Sequence, residues 1–297
     1  MNLEELIYSR LKSNESLAGL LSEYSGAPAI FYQEAPNDAQ PGWNGRPNYP
    51  RIVYDLDTQA DTERKSSGTL AVAVMCERFV GTPEDIEDAV RSSLRDLIVK
   101  PDGESPYCFA WARSDPFSLD STEKRKQVVG IEIRFDILEL PYQETTDPDP
   151  IVALNLYVHE LFPEGKVIGL TELDGLTEAT KNAPVFYCRL VSVETESITN
   201  TVVWMNARIA VHIVCPDSAA RMKISMYLLN SISTEGSLTM LDRSPMNVMR
   251  VSTDNTTDYL RTGQISGTFH YGVLRWGRQP HVITNVNLSI QKEDQDG

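Results

Sequence analysis

The stretch Asn206–Asn230, NARIAVHIVCPDSAARMKISMYLLN, decides the fold, because a looser copy of it occurs at Gly68–Ile98, GTLAVAVMCERFVGTPEDIEDAVRSSLRDLI. Each copy reads as an alternating apolar strand that ends in Cys, a short break, and an amphipathic helix. Met205, Ala207, Ile209, Val211, Ile213 and Cys215 share one strand face, as do Leu70, Val72, Val74 and Cys76. That period of two places one side of a strand on a core. The period then changes to the helical one at Ile86, Ala89, Val90, Leu94, Leu97 and Ile98, and again at Ala220, Ile224, Tyr227, Leu228 and Ile232. Two such units about half a chain apart predict a tandem pair of related domains.

Reading outward, the same order of elements precedes and follows each unit. Leu3, Leu6, Ile7 and Leu11, then Leu17, Leu20 and Leu21, space one or two short helices. Ala29–Gln33 reads as a strand, Glu34–Pro50 as a loop dense in Pro and Gly, and Arg51–Asp57 as a second strand. Thr58–Ser67 is a charged hairpin tip leading into the strand at Thr69–Cys76. Cys108–Arg113 and Val128–Leu140 supply two more strands. Glu139–Pro150, ELPYQETTDPDP, has the prolines and acidic residues of a linker.

Beyond it, Ile151, Leu154, Val158, Leu161 and Phe162 space a helix. Pro184–Val193 reads as a strand, Glu194–Asn200 as a polar tip, and Val202–Cys215 as the long strand with its helix behind it. Ser244–Ser252 and Gly263–Leu274 then give two strands, and Val286, Leu288 and Ile290 alternate in a spare one at Val282–Gln291. The expected class is α+β, with two tandem small domains at 1–140 and 151–278, a linker at 141–150 and an extension at 279–297. Each domain is expected to hold a mostly antiparallel sheet of about four to five strands, packed with an N-terminal and a central helix.

Composition bounds the function. A chain of 297 residues with 41% hydrophobic and 23% charged residues can bury ordinary cores. A formal charge of −15 argues against a general nucleic-acid binder and against an anionic membrane partner. It suits a channel through which DNA slides without sticking. The N-terminus lacks a signal-peptide pattern, and no apolar run is long enough for a membrane span. Cys76, Cys108, Cys188 and Cys215 are too few and scattered for a disulfide scaffold, so a reduced, cytoplasmic setting is expected.

The residues offer little chemistry. His159, His212, His270 and His281 have no metal-ligand spacing, and His212, with Asn206 and Arg208 on the polar face of its strand, reads as a surface or interface histidine. There is no phosphate-cradling glycine loop and no nucleophile elbow. No catalytic, metal or cofactor residue is assigned. The alternative of a small-molecule-binding or hydrolytic enzyme would need a cluster of convergent polar groups.

With those patterns in view, the series through NYPRIVYDL and TLAVAVMCE in the first half resembles the tail-terminator and tail-completion proteins of long-tailed phages. The second half is similar to the same family through Pro184–Cys215 and DNTTDYLRTGQISGTFHYGVL at Asp254–Leu274. The resemblance implies a virion subunit assembled in the bacterial cytoplasm into a six-fold ring at the head-proximal end of the tail. Such a ring stops tube growth, joins the tail to the head, and carries no catalytic residues. Most family members are single domains, so this chain departs from them in its second copy and its C-terminal extension. A hexamer is favoured over a pseudo-six-fold trimer, since the halves differ in their loops. The implied partners are further copies of the chain, the tail-tube protein, a head–tail connector or stopper, and a sheath protein. Another neck, tube or baseplate role is the nearest rival. Candidate contacts are the first tip (Asp57, Asp61, Glu63, Arg64, Lys65), Glu194 and Glu196 in the second, Trp43 and Tyr49 in the long loop, and Val286, Leu288 and Ile290 in the spare strand. The tip charges would line a pore or bridge subunits, and the aromatics would anchor a partner.

Overall fold

The computed structural model describes residues 1–58, 67–79, 81–120 and 127–275. The protein is α+β. In chain order its elements are α1 (Leu3–Ser13), α2 (Glu15–Leu20), β1 (Glu23–Tyr24), β2 (Ala27–Pro28), β3 (Ile30–Tyr32), β4 (Arg51–Thr58), β5 (Gly68–Glu77), α3 (Pro83–Leu94), β6 (Leu97–Val99), β7 (Tyr107–Asp120) and β8 (Gln127–Glu139). They continue with α4 (Pro150–Leu161), β9 (Lys166–Val167), β10 (Leu176–Glu178), β11 (Val185–Ile198), β12 (Val202–Val214), α5 (Ser218–Glu235), β13 (Ser237–Thr239), β14 (Pro245–Thr253) and β15 (Ile265–Leu274).

Local chemistry sets the helix starts. Asn2 accepts from the Glu5 amide (2.8 Å) while the Glu5 carboxylate accepts from the Asn2 amide (3.1 Å), a reciprocal cap that satisfies two otherwise orphaned donors. Asp149 accepts from Ile151 N (2.7 Å) ahead of Pro150 at the first helical position of α4. Asp217 does the same for Ala219 and Ala220 in α5, which Gly236 then closes at φ 69°.

The strands form one sheet of order β10-β6-β7-β8-β5-β4-β3 and another of order β13-β14-β15-β12-β11-β9. With β10 set aside, the two orders correspond strand for strand. In both, the last strand is parallel to its neighbour and every other pairing is antiparallel. The helices also recur at matching points, α1 with α4 before the first strand and α3 with α5 after the long central one.

The sheets are larger than expected, with six strands each and β10 as a seventh in the first. The extra strands are two or three residues long, too short for alternation to show. Leu97 and Ile98 are not helical: α3 stops at Leu94, Asp96 takes φ 55°, and both residues enter β6. The expected strand at Cys108–Arg113 extends to Asp120, and that at Pro184–Val193 runs through the supposed polar tip to Ile198.

Each sheet carries its helices on one face only. The first core joins Leu3, Ile7 and Leu11 of α1 and Ile86, Val90 and Leu94 of α3 to Leu70, Val72, Val74, Phe135 and Ile137. The second joins Leu154 and Val158 of α4 and Leu228 and Ile232 of α5 to Phe186, Ile209, Val211, Phe269 and Tyr271. Cys76 and Cys215 are buried at equivalent strand ends, as the repeat predicts.

A third core lies on the opposite faces. Ile98, Cys108, Ala110 and Leu138 of the first sheet pack with Val185, Tyr187 and Val214 of the second, closed by Leu140, Ile168, Ala179 and Leu260. The neighbours of these residues along their strands point the other way, into the helix-covered cores. Polar ties cross the same seam. Tyr259 donates to Asp96 while Arg221 stacks over the Tyr259 ring at 3.8 Å, and Arg261 pairs with Asp136 and Asp258. Arg10 of α1 pairs with Glu178 of β10.

The segment expected to be a linker is packed against the second sheet. Pro141 O accepts from the Tyr187 hydroxyl (3.0 Å), Gln143 Oε1 accepts from Leu190 N (2.8 Å), and Thr146 shares a hydrogen bond with the Tyr271 hydroxyl (2.9 Å).

His212 sits at the seam and is 2% exposed, so the interface it serves lies within the chain. The Tyr259 carbonyl accepts at 2.9 Å, which puts the proton on Nδ1 and leaves Nε2 facing Arg189 Nε at 3.5 Å. Burial first, and the Arg189 charge second, hold its pKa down at about 4.

Three outcomes are expected. Ile98→Ala, which empties part of the third core, lowers stability by about 2–4 kcal/mol. Calorimetry shows a single unfolding transition in the parent protein, because that core belongs to both sheets; two separated transitions would contradict this. The unfolded state binds the His212 proton below pH 6.5 and the folded state does so only near 4. The stabilisation is therefore complete above pH 6.5 and lost as pH falls toward 4, on the order of 3 kcal/mol in all. His212→Gln removes that part of the slope in urea titrations run across this range.

Candidate assembly surfaces

The surfaces open to a partner follow from how far each helix layer reaches. β11 and β12 are 14 and 13 residues long, yet only their base is covered. Phe186, Cys188, Ala207 and Ile209–Ile213 are buried, whereas Val191–Ile198 are exposed throughout. The outer parts of β11 and β12, together with the end of β15, therefore form a three-stranded arm beyond the second core. Val191 (43%), Val193 (39%), Ile198 (64%) and Leu274 (66%) are apolar groups left open on it. Its polar face is ordered by Trp204, which stacks on His270 with centroids 4.9 Å apart and planes 12° from parallel. His270 Nε2 lies 2.7 Å from Glu196 Oε2, an ion pair whenever the imidazole is protonated.

In the first sheet a different hairpin is long. β7 and β8 pair from Tyr107–Glu139 out to Asp120–Gln127. Leu119 is 51% exposed near the end, and Arg113 pairs with Asp115 at 3.0 Å. Its equivalents in the second sheet, β14 and β15, are shorter. The matching strand orders thus carry arms on non-equivalent hairpins.

The candidate residues scatter between these surfaces and the interior. Glu194 and Glu196 lie on the exposed arm. Asp57 is exposed at the end of β4, opposite Thr69. Asp61, Glu63, Arg64 and Lys65, and likewise Val286, Leu288 and Ile290, lie outside the described residues. Trp43 and Tyr49 are not exposed anchors. Trp43 is 2% exposed, packs edge-on against Tyr24 (5.0 Å) and Phe31 (6.0 Å), and donates from Nε1 to Asn37 O. Tyr49 is 7% exposed, with the Arg51 guanidinium 4.5 Å from its ring centre. The Pro- and Gly-rich loop folds back on its own half, so its aromatics build a small satellite core.

Reactive groups are withdrawn from solvent. All four cysteines are buried free thiols. Burial pushes Cys76 up to about 11 and Cys108 and Cys188 up to about 12, so none is a thiolate at neutral pH. Among the described residues, no group of three His, Cys, Asp or Glu side chains could hold a metal ion, and no helix is long and apolar enough to cross a membrane.

A groove of about 720 Å³ opens between α1 and the β3 edge, lined by Glu4, Tyr8, Tyr32, Glu34 and Tyr54. Tyr54 donates to the Glu4 carbonyl there, and burial raises the pKa of Tyr54 above the ordinary phenol value. The buried Asp96 carboxylate and the partly buried Tyr259 phenol are bonded to each other across the seam. Sequence reasoning missed the seam residues Asp96, Tyr259 and Arg261, since their partners are far apart in the chain and no local pattern marks them.

The sorting of the tryptophans is testable by denaturant titration. Trp43→Ala costs about 3–5 kcal/mol as a core truncation, whereas Trp204→Ala on the half-exposed arm costs under about 1.5 kcal/mol. Equal losses would contradict the placement of either residue. Neither comparison of the chain with known proteins found a relative: no family model matches it, and no curated protein matches it in sequence.

Proposed function

We propose that this chain is a structural subunit of a phage tail, assembling with copies of itself into a ring that caps the tail tube and joins it to the head connector. The observation that carries the proposal is the repeated strand order with arms on non-equivalent hairpins. A doubled unit whose copies keep one framework and diverge in their projecting parts suits a subunit that meets two different neighbours. In this reading residues 1–140 and 151–278 are tandem copies of one domain, which is supported by the matching helix positions and the parallel edge pair in each sheet.

The arms supply long, exposed strands for contact between subunits and with the tube protein. The charge of −15 supports a pore that passes DNA without retaining it. Six chains per ring are favoured, because halves with different arms would not occupy equivalent positions in a three-chain ring. The protein would reside in the neck of the virion after assembly in the bacterial cytoplasm. Charged tip residues, Asp57, Glu194 and Glu196 among them, would face the pore or a neighbouring subunit. The enzyme alternative is disfavoured by the withdrawn thiols and by the commitment of Asp96 and Tyr259 to each other at the seam.

Light scattering with negative-stain imaging of the purified chain tests the proposal. Annular particles of six chains are expected. Open-ended tubes would reassign the chain as a tube protein, and a monomer at every concentration would remove the ring.

A further inference from the structure

Among the described residues, the outer edge of β11 has a strand partner over only a small part of its length. β9 pairs only with Val185 and Phe186, and Gln143 takes the Leu190 amide. From Ser192 to Ile198 the strand has β12 on one side and no strand among the described residues on the other. Such a row of backbone donors and acceptors is a template for a further strand. The pairing with β12 slips between Leu190 and Ser192 and again between Thr195 and Ser197. The bends that result work against indiscriminate edge pairing and select a strand shaped to fit.

The chain itself holds a segment with the required chemistry. Val282–Gln291 alternates apolar residues at Val286, Leu288 and Ile290 and contains no Asp, Glu, Lys or Arg. An uncharged strand can lie beside Glu194 and Glu196 without like-charge repulsion, which an acidic chain of net −15 offers in few places. Its alternating apolar side would extend the surface already presented by Val191 and Val193.

The exit point of the chain argues for which copy is joined. Arg275 N donates to Thr201 O (2.8 Å) and Arg275 Nη1 to Thr199 O (2.9 Å), so the backbone is held in line with β15 as it passes the β11–β12 tip. The chain thus leaves the described residues on the β15 side of β12, with β12 standing between it and the open edge of its own β11. We infer that residues 282–291 of one copy add as a strand to the Ser192–Ile198 edge of a second copy. The inference rests on the reading of the chain as a self-assembling subunit, and it specifies the bond between neighbours.

The test uses Val193→Cys and Leu288→Cys, placed in separate, differently tagged full chains and co-expressed, then treated with a short bismaleimide. The native thiols are buried and do not compete. Val286→Cys and Ile290→Cys serve as register controls. A cross-linked species carrying both tags is expected for at least one of the three pairings. Removing residues 276–297 is expected to reduce the native mass to that of a single chain with the far-UV dichroism of the body retained. Cross-linking within one chain when Val193→Cys and Leu288→Cys are combined in it, with none between the separately substituted tagged chains, would overturn exchange in favour of closure onto the same molecule. Full-sized rings from the truncated chain would also overturn the inference while leaving the ring intact. A full-length chain that is monomeric throughout would overturn both.

Discussion

The arrangement depends on one constraint: each sheet has helices on a single face. A sheet face left bare must be buried or kept polar, and this chain does both at different ends. Near β6–β8 and the bases of β11 and β12, the bare faces cover one another and make the third core. Farther out the faces diverge and the strands continue as arms. The position of that core therefore decides which parts of each long strand are interior and which are available to a neighbour.

The seam is more than apolar contact. The second half sends β10 across to complete the β6 edge, and α1 reaches β10 through Arg10 and Glu178. Asp96, at a positive φ where α3 gives way to β6, receives the Tyr259 hydroxyl from the loop before β15. A buried carboxylate left unpaired would cost several kcal/mol, so this hydrogen bond ties the geometry of one half to that of the other. His212 lies at the same seam but takes its partners from the second half alone, a neutral imidazole whose tautomer is set by the Tyr259 carbonyl. Rigid bases joined in this way give the arms fixed directions relative to one another, as the proposed ring subunit would require.

Much of the framework was legible from periodicity. The faces of β5 and β12, the helices behind them and the order of the main strands follow directly from residues such as Val72, Val74, Ile209 and Val211, whose burial is complete or nearly so. Illegible parts had physical reasons. Strands of two or three residues have no period to read, and β10 forms only because the edge of β6 is there to receive it. Trp43 and Tyr49 looked like exposed anchors because their loop is full of Pro and Gly, yet breaker residues constrain a backbone without keeping it at the surface. His212 has polar neighbours along its strand and is buried all the same, because a second sheet covers that face. Local sequence describes one element's two sides, while the partner on each side is a property of the whole chain.

The borrowed strand also has a consequence for the order in which the protein is made. Leu97–Val99 are fully enclosed in the finished molecule, but their outer backbone edge is completed only by Leu176–Glu178, some eighty positions later. At about 5–20 residues per second of synthesis, a nascent first half spends several seconds with that edge unpaired. The emerging chain is then open to pairing with the same edge on a neighbouring polysome product. The Arg10–Glu178 pair lies where it would reward the correct strand once it arrives. Translation speed through residues 100–175, and the crowding of ribosomes on one message, thus bear on the yield of correctly closed chains.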